Sequence, residues 1–212
     1  MEDIIVFCAH PDDQIFGPGG TLAKYAKEGK NVHIVIFCYG ESTPVLLKKD
    51  ITKAIRVQET KKANKIIKAK SLAFYALNEG KFLEKEKLTK EKIKKLIKKT
   101  RPTKIFTHSD EDPHPDHRAV VKIVLGAVDE MSYKCDVLSF DVWGFFNPKK
   151  TGTTPKIYVD ISDTFQTKIK ALRCFPSQWM SLISLLWSVY ASAIKHGIEA
   201  KVKYAERFFK VR

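Results

Sequence analysis

Residues Ile4–Asp13, IIVFCAHPDD, decide how the chain folds, because an apolar run passes directly into a His and two carboxylates. The first four residues, Ile4–Phe7, are continuously apolar, which predicts a strand buried on both faces. A glycine- and proline-rich turn and a helical pattern over Thr21–Glu28 follow. The polar residues therefore lie at the carboxyl end of the first strand, the edge of an open α/β sheet at which ligands bind.

The same alternation of strand and helix continues along the chain. A β-branched run over Val32–Phe37 completes a strand–helix–strand unit, which predicts a parallel pair with a right-handed crossover. Helices are predicted over 53–68, 89–99 (with Thr89 as N-cap), 116–131 and 163–172, and strands over 71–75, 104–108, 137–143 and 156–160. We predict an α/β fold: a doubly wound, mostly parallel sheet with helices on both faces, in a single domain over residues 1–212.

The composition fits a globular domain and indicates little about function. Of 212 residues 44% are hydrophobic, and Gly and Pro are sparse, so we expect a folded core. The formal net charge is +14, with much of the excess between Lys81 and Lys104. Apolar residues recur there at helical spacing among Lys and Glu, which predicts a solvated helix face. No RNA-binding or zinc-finger motif accompanies the charge, so no nucleic-acid partner is expected.

The cysteines and the N-terminus indicate a cytoplasmic protein. No basic segment precedes the first strand, so no signal peptide is expected. The four cysteines have no C-x-x-C spacing, which predicts free thiols in a reducing compartment. They are Cys8, Cys38, Cys135 and Cys174.

The segment 179–194, WMSLISLLWSVYASAI, is strongly apolar and predicts a C-terminal helical segment. Its 16 residues are short for a transmembrane span. Serines at every third or fourth position draw a narrow polar stripe along this helix. The pattern favours a helix buried in the fold or packed in a homo-oligomer interface. A surface for lipid or for a hydrophobic substrate is the alternative.

A second polar cluster, 114–117 or HPDH, follows the predicted strand over 104–108. Catalytic zinc usually has three ligands from His and Asp or Glu and keeps an open position for water. The two clusters supply such a set, with His10 and Asp13 from the first loop and His117 from the second. Fe²⁺ or Co²⁺ would fit the same donors as Zn²⁺. His108, Asp110 and Asp112 are weaker alternative ligands.

The remaining polar residues of the clusters suit acid–base chemistry. Asp12 is left as a carboxylate outside the ligand set, able to take a proton from metal-activated water. His114 can face the open position and, as an imidazolium, stabilise an oxyanion and protonate a leaving amine. Asp116 can hold an imidazole through its ring N–H.

Each cluster alone has a structural interpretation. HPDD can be a polar turn with an Asx cap, and HPDH can be a helix N-cap. Two such clusters, each directly after a predicted strand, favour the functional interpretation. His33 and His196 are isolated, and structural roles are expected for them.

These motifs closely resemble the LmbE-like (PIG-L) N-acetylglucosaminyl deacetylases. AHPDD is followed by Gly-Gly-Thr-Leu-Ala at the start of the next helix, as in that family. The resemblance extends over nearly the whole chain in order. Its further matches are HPDHRAV at 114–120, Arg-x-x-Glu at 56–59, KAL at 170–172 with SQ at 177–178, and YAERF at 204–208.

The resemblance implies a Rossmann-like domain and zinc-dependent hydrolysis of an N-acetyl group from an amino sugar. One alternative is an enzyme of the same fold, a metal-dependent amidase that acts on a thiol–sugar conjugate. The other belongs to a different functional class, a basic protein that binds nucleic acid. The implied zinc ligands are His10, Asp13 and His117, and the implied catalytic residues are Asp12 as base and His114 as acid, tuned by Asp116.

Arg56 resembles a substrate-binding arginine, although an Arg-x-x-Glu helix is equally an intrahelical ion pair with Glu59. Two residues depart from the family pattern. Gln14 stands where the family usually has Glu, which can alter metal affinity or loop geometry. Phe175 stands near where the family often has His, which indicates a more apolar substrate.

Overall fold

The computed structural model describes residues 1–42, 48–142 and 154–212, and these form one sheet with helices on both faces. The strands are β1 Asp3–Cys8, β2 Asn31–Ile36, β3 Ser71–Phe74, β4 Lys104–His108, β5 Asp136–Phe140, β6 Lys156–Asp160 and β7 Ala205–Lys210. The helices are α1 Asp13–Phe16, α2 Gly19–Lys27, α3 Lys49–Ile66, α4 Glu86–Thr100, α5 Pro115–Glu130, α6 Phe165–Leu172 and α7 Trp179–Ala200.

The sheet has the strand order β3-β2-β1-β4-β5-β7-β6. The first five strands in this order are parallel, and β7 runs antiparallel to both β5 and β6. The predicted α/β fold with a mostly parallel sheet is therefore confirmed. The strand order reverses between β1 and β4, which opens a crevice at their carboxyl ends. Both polar clusters of the sequence follow these two strands.

The continuous apolar run of β1 is explained by two cores, one on each face of the sheet. Ile4 and Val6 contribute to the core that includes buried residues of α2, α6 and α7. Ile5 and Phe7, one residue out of phase, contribute to the core under α4 and α5. Because successive side chains of a strand point to opposite faces, a central strand covered on both sides has no polar position.

Some local predictions from the sequence need correction, and two elements were not predicted. Thr89 is buried inside α4 rather than capping it, because a 3-10 turn anchored by the buried Phe82 leads into a helix that starts at Glu86. The short helix α1 and the strand β7 lie where none was predicted. The predicted strand over 137–143 ends at Phe140, and Trp143 lies outside the described residues.

A buried carboxylate joins β7 to the first long helix. Glu206 accepts hydrogen bonds from the backbone N–H groups of Gly20 (2.9 Å) and Thr21 (2.7 Å) at the start of α2. The Lys168 ammonium donates to the same carboxylate at 2.7 Å and to the Gly17 carbonyl at 2.8 Å. A negative charge satisfies the free N–H groups of a helix start, so the glycine-rich stretch begins a helix here.

Replacing Glu206 by Gln is expected to lower the free energy of unfolding by about 3 kcal/mol, because it leaves the buried Lys168 charge without its counter-charge. Urea unfolding measures this change. The matched control is Glu84→Gln, which removes one partner of the exposed Lys81–Glu84 pair and should cost less than about 0.5 kcal/mol. Equal effects of the two substitutions would contradict the account of the buried pair.

Candidate metal centre

The turn after β1 places the first cluster at the crevice. The backbone N–H of Asp12 donates to the His10 carbonyl at 3.0 Å, and that of His10 donates to Asp13 Oδ2 at 2.8 Å. Asp12 occupies the N-cap position of α1, but its side chain makes no capping hydrogen bond. The carboxylate of Asp12 instead lines the cavity at this edge of the sheet.

Three donor atoms from the two clusters lie at mutual distances that suit a metal ion. His10 Nδ1 is 3.5 Å from Asp13 Oδ2 and 3.3 Å from His117 Nε2, and the latter two atoms are 3.5 Å apart. A tetrahedral zinc site with metal–donor distances of about 2.1 Å requires donors about 3.4 Å apart. The side chains present therefore fit a zinc-sized ion.

A carboxylate contacts the outer nitrogen of each imidazole. His10 Nε2 lies 3.3 Å from Asp116 Oδ2, and His117 Nδ1 lies 3.0 Å from Asp112 Oδ1. The Asp116 carboxylate is itself held by the Gly80 N–H at 3.0 Å. Such carboxylates fix the tautomer that turns the other ring nitrogen toward a metal. The Asp116 side chain contacts the His10 ring, and its charge also raises the pKa of the nearby His114 against the effect of burial, so the expected tuning of His114 stays a prediction.

His108 supports this cluster from the end of β4. Its ring stacks on His117 with centroids 3.8 Å apart and an interplanar angle of 12°. Burial lowers the pKa of His108 to about 4, so this imidazole is neutral. His108 Nε2 is 3.3 Å from Asp13 Oδ2, and these two residues also converge with His117 as a group that could hold a metal. However, the same nitrogen accepts the Ala9 N–H at 3.0 Å, which occupies its lone pair.

The carboxylates control the charge of the two candidate imidazole ligands. Burial opposes protonation of His10, but hydrogen bonds to Asp116 and Asp13 outweigh it and raise the pKa of His10 to about 10. Burial is likewise outweighed at His117, where Asp13 and Asp112 raise the pKa to about 9. Burial alone would raise the pKa of the Asp13 carboxyl. The neighbouring imidazoles have a larger, opposite effect and hold this pKa well below its usual range.

Metal binding to the metal-free protein is therefore expected to release at least one proton at neutral pH. A metal binds only neutral rings, whereas the raised pKa values keep a proton on the pair of His10 and His117, whose facing nitrogens lie 3.3 Å apart as donor and acceptor. Metal affinity should rise by about 10-fold or more per pH unit around neutrality. Calorimetric titration in buffers of different ionisation enthalpy measures the proton count. An affinity that stays constant between about pH 6 and 8 would contradict this electrostatic account.

The donors open onto a cavity of about 450 Å³. Asp12 lies on the wall of this cavity, and its Oδ2 is 3.4 Å from Nη2 of Arg56. The Arg56 side chain is buried and lines the same cavity. Burial raises the pKa of the Asp12 carboxyl, although the Arg56 guanidinium opposes this shift. A carboxylate in this state is a better proton acceptor than one in water.

His114 is both the N-cap of α5 and part of the cavity wall. Its Nδ1 accepts the backbone N–H of Asp116 at 3.2 Å, so the helix-cap interpretation is correct for this nitrogen. Burial and the neighbouring positive His10 and His117 lower the pKa of His114. A neutral ring with Nδ1 as acceptor carries its proton on Nε2.

Arg56 and Glu59, the two ends of the Arg-x-x-Glu motif, contact different partners. Arg56 contacts Asp12, whereas Glu59 accepts hydrogen bonds from the backbone N–H of Ser177 (2.8 Å) and from its hydroxyl (2.5 Å). The motif therefore joins α3 to the cavity at one residue and to the segment before α7 at the other. This arrangement differs from the intrahelical ion pair considered as an alternative.

The two departures from the family pattern lie outside the donor set. Gln14 is buried and donates to Asn64 Oδ1 of α3 at 3.3 Å. Phe175 is fully buried in the core and is not among the residues that line the cavity, and a more apolar substrate stays a prediction. Asp110 is exposed, His33 contacts Asp3 at the sheet, and all four cysteines are free.

Comparison with known proteins supports a single family. Residues 5–128 match the PIG-L family, described as GlcNAc-PI de-N-acetylase. The chain is 27% identical to diacetylchitobiose deacetylase of Thermococcus kodakarensis, over 97% of the chain and 82% of that protein. It is 26% identical to a probable N-acetyl-alpha-D-glucosaminyl L-malate deacetylase 2 of Bacillus cereus, over 85% of each.

The fold also matches solved structures. The crystal structure of the 4-carboxy-2-hydroxymuconate hydratase GalB from Pseudomonas putida superposes with a TM-score of 0.84, at 22% identity, over 100% of this chain and 97% of the other. At this identity the likeness establishes the fold. The match of the family to more than half of the chain establishes the relationship: the chain belongs to the PIG-L family of de-N-acetylases.

Proposed function

We propose that this protein is a metal-dependent N-deacetylase that hydrolyses the acetamido group of an N-acetylglucosamine-type substrate. The family and its deacetylase relatives support the activity. The observation that carries the proposal is the triangle of His10, Asp13 and His117 donors beside the Asp12 carboxylate in one cavity. This arrangement suits hydrolysis, which needs activated water and a proton acceptor.

His10, Asp13 and His117 would hold the metal, which we propose to be Zn²⁺, with Fe²⁺ or Co²⁺ as alternatives for the same donors. When bound, such an ion polarises a carbonyl and lowers the pKa of water to about 7. Asp112 and Asp116 act as positioning residues, because they contact the outer nitrogens of His117 and His10. The ligand set and its supports therefore come from the loops after β1 and β4.

Asp12 is the proposed general base. It takes a proton from the attacking water as the water oxygen bonds to the acetyl carbon. The carbon–nitrogen bond then breaks, and the amine leaves with the proton returned from Asp12, so that the products are acetate and the free amino sugar. Its raised pKa makes Asp12 able both to accept and to return this proton.

His114 is the proposed hydrogen-bond donor to the carbonyl oxygen as negative charge develops. The general-acid role implied by the resemblance requires an imidazolium, which carries a proton on both ring nitrogens. In this structure Nδ1 of His114 accepts the Asp116 N–H, so it carries no proton. A neutral ring can still donate a hydrogen bond from Nε2. Arg56 is the proposed substrate-binding residue, and it also holds Asp12 in place.

We infer that the family domain extends through residue 212, beyond the matched residues 5–128. The pairing of β7 with β5 and the bond from Glu206 to α2 support one continuous domain. A cytoplasmic location is also proposed, and the four free cysteines support it. No helix in the described ranges combines the length and apolarity needed to cross a bilayer.

A substrate panel tests the proposed activity. Purified protein loaded with Zn²⁺ is incubated with N-acetylglucosamine, diacetylchitobiose, an N-acetylglucosaminyl malate, an acetylated thiol–sugar conjugate and a GlcNAc-phosphatidylinositol. Acetate and free amine are measured, and the proposal expects both in equal amounts from at least one amino sugar. Turnover of the thiol–sugar conjugate alone would favour the alternative amidase. Hydration of 4-carboxy-2-hydroxymuconate without any acetate release would contradict the proposal.

A further inference from the structure

A serine, a histidine and an aspartate are joined by two short hydrogen bonds near the amino ends of β1, β2 and β3. His33 Nδ1 lies 2.7 Å from the Ser71 hydroxyl, and Nε2 of the same ring lies 2.7 Å from Asp3 Oδ1. His33 and Ser71 are register partners on β2 and β3, and Asp3 is the first residue of β1. We call these three residues the His33 triad.

The order of contacts in the His33 triad is that of a nucleophilic serine site. Such a site places a hydroxyl within hydrogen-bond reach of a general base, and a third group orients that base. A His33 ring that donates its Nε2 proton to Asp3 leaves the Nδ1 lone pair to accept the Ser71 proton. The triad is therefore arranged for the transfer of a proton from the serine to the imidazole.

Asp3 is held as a charged acceptor. Its Oδ2 accepts a hydrogen bond from Asn31 Nδ2 at 3.2 Å, and the Lys70 ammonium donates to Asn31 Oδ1 at 3.1 Å. Burial alone would raise the pKa of the Asp3 carboxyl, but hydrogen bonds from His33 and Asn31 outweigh this effect and lower the pKa. An ionised Asp3 fixes the orientation of the His33 ring and stabilises the imidazolium that forms when the ring takes a proton.

The serine is open to solvent, whereas its two supporting side chains are mostly covered. The side chains of His33 and Asp3 are 12% and 21% exposed, and Ser71 is exposed at the start of β3. In the described sheet β3 is an edge strand. The Lys70 N–H donates to the Val32 carbonyl of β2, so the N–H of the next residue, Ser71, points to the open edge. This N–H is a donor for an oxyanion that forms at Ser71.

We propose that Ser71 is a nucleophile that is acylated by small activated esters and thioesters. The Ser71 oxygen bonds to the acyl carbon as its proton passes to His33, and the bond from that carbon to the alcohol or thiol then breaks. His33 returns the proton to the departing group, so the products are an ester of Ser71 and the free alcohol or thiol. The triad lies near the amino ends of the strands, whereas the proposed metal donors follow their carboxyl ends, so this site is separate from the proposed deacetylase centre.

A fluorophosphonate probe tests the proposal on the whole chain after treatment with a chelator. The reagent bonds to the oxygen of a base-activated serine and releases fluoride, and the labelled peptide is identified by mass spectrometry. We expect label on Ser71, at a rate that His33→Gln and Asp3→Asn each lower by about 10²-fold or more. Treatment with p-nitrophenyl acetate should acetylate the same residue and release one nitrophenol for each acetyl group bound there.

Ser132, an exposed serine after α5, is the matched control for this reactivity. Ser132→Ala should leave the labelling rate of Ser71 unchanged. A wild type in which Ser71 reacts no faster than Ser132 would overturn the inference, and this comparison needs no variant. Wild-type labelling rates in both His33→Gln and Asp3→Asn would also overturn it, with thermal melts to check that each variant is folded. Because the metal has been removed, these results are independent of the proposed deacetylase activity.

Discussion

Asp12→Asn is expected to lower kcat for acetate release by about 10²–10⁴-fold while the protein keeps its metal. Asn preserves the size of the side chain and a contact to Arg56 but cannot accept a proton from water. The proposed ligands His10, Asp13 and His117 are unchanged, so metal content should match that of the wild type. Acetate release and metal content are measured on the same preparation.

The control for this loss is Asp110→Asn, which neutralises an exposed carboxylate near the second cluster. Its kcat should stay within about twofold of wild type, because the exposed Asp110 side chain does not line the cavity that holds the proposed donors. If Asp12→Asn turned over at the wild-type rate, Asp12 would not be the base. If it lost its metal, the carboxylate would belong to the ligand set instead.

His117→Ala is expected to abolish stable metal binding and, with it, acetate release. The substitution removes one of three proposed donors and the partner of Asp112. Asp112→Asn should have a smaller effect, about 10–100-fold in metal affinity, because this residue acts through the His117 ring. Metal content after dialysis and competition with a chromophoric chelator measure both.

His33→Ala is the matched control for His117→Ala, because His33 contacts Asp3 and Ser71 and lies outside the donor set. This variant should bind metal with wild-type affinity. Full retention of metal by His117→Ala would contradict its assignment. Equal losses in the His117→Ala and Asp112→Asn variants would make Asp112 a ligand rather than a support.

Most of the fold could be predicted because its central strands have strong local patterns. The apolar run of β1 and the alternation with helices through α5 determine a parallel sheet. The strand β7 was missed because its sequence AERFFK includes three charged residues. One of them, Glu206, accepts the Gly20 N–H at the start of α2, a hydrogen bond between residues 186 positions apart. Local sequence does not contain such a contact.

The meeting of the two clusters could also be predicted, since parallel strands carry their carboxyl ends to one edge. What sequence could not assign is which carboxylate contacts which ring. Asp116 is two positions from His114 yet contacts His10, and Asp112 contacts His117. His108 ends a predicted strand and was a candidate ligand, but its nitrogen accepts the Ala9 N–H across the neighbouring strand. Side-chain direction decides these roles.

Acetate release from diacetylchitobiose, measured while chelator-treated protein is titrated with Zn²⁺, tests whether the protein is a metal-dependent deacetylase. We expect the metal-free protein to be inactive and its activity to rise with added metal to saturation at one ion per chain. Activity that persists after complete chelation would contradict a metal-dependent deacetylase. So would a protein that binds one ion at His10, Asp13 and His117 but releases no acetate from any amino sugar of the panel.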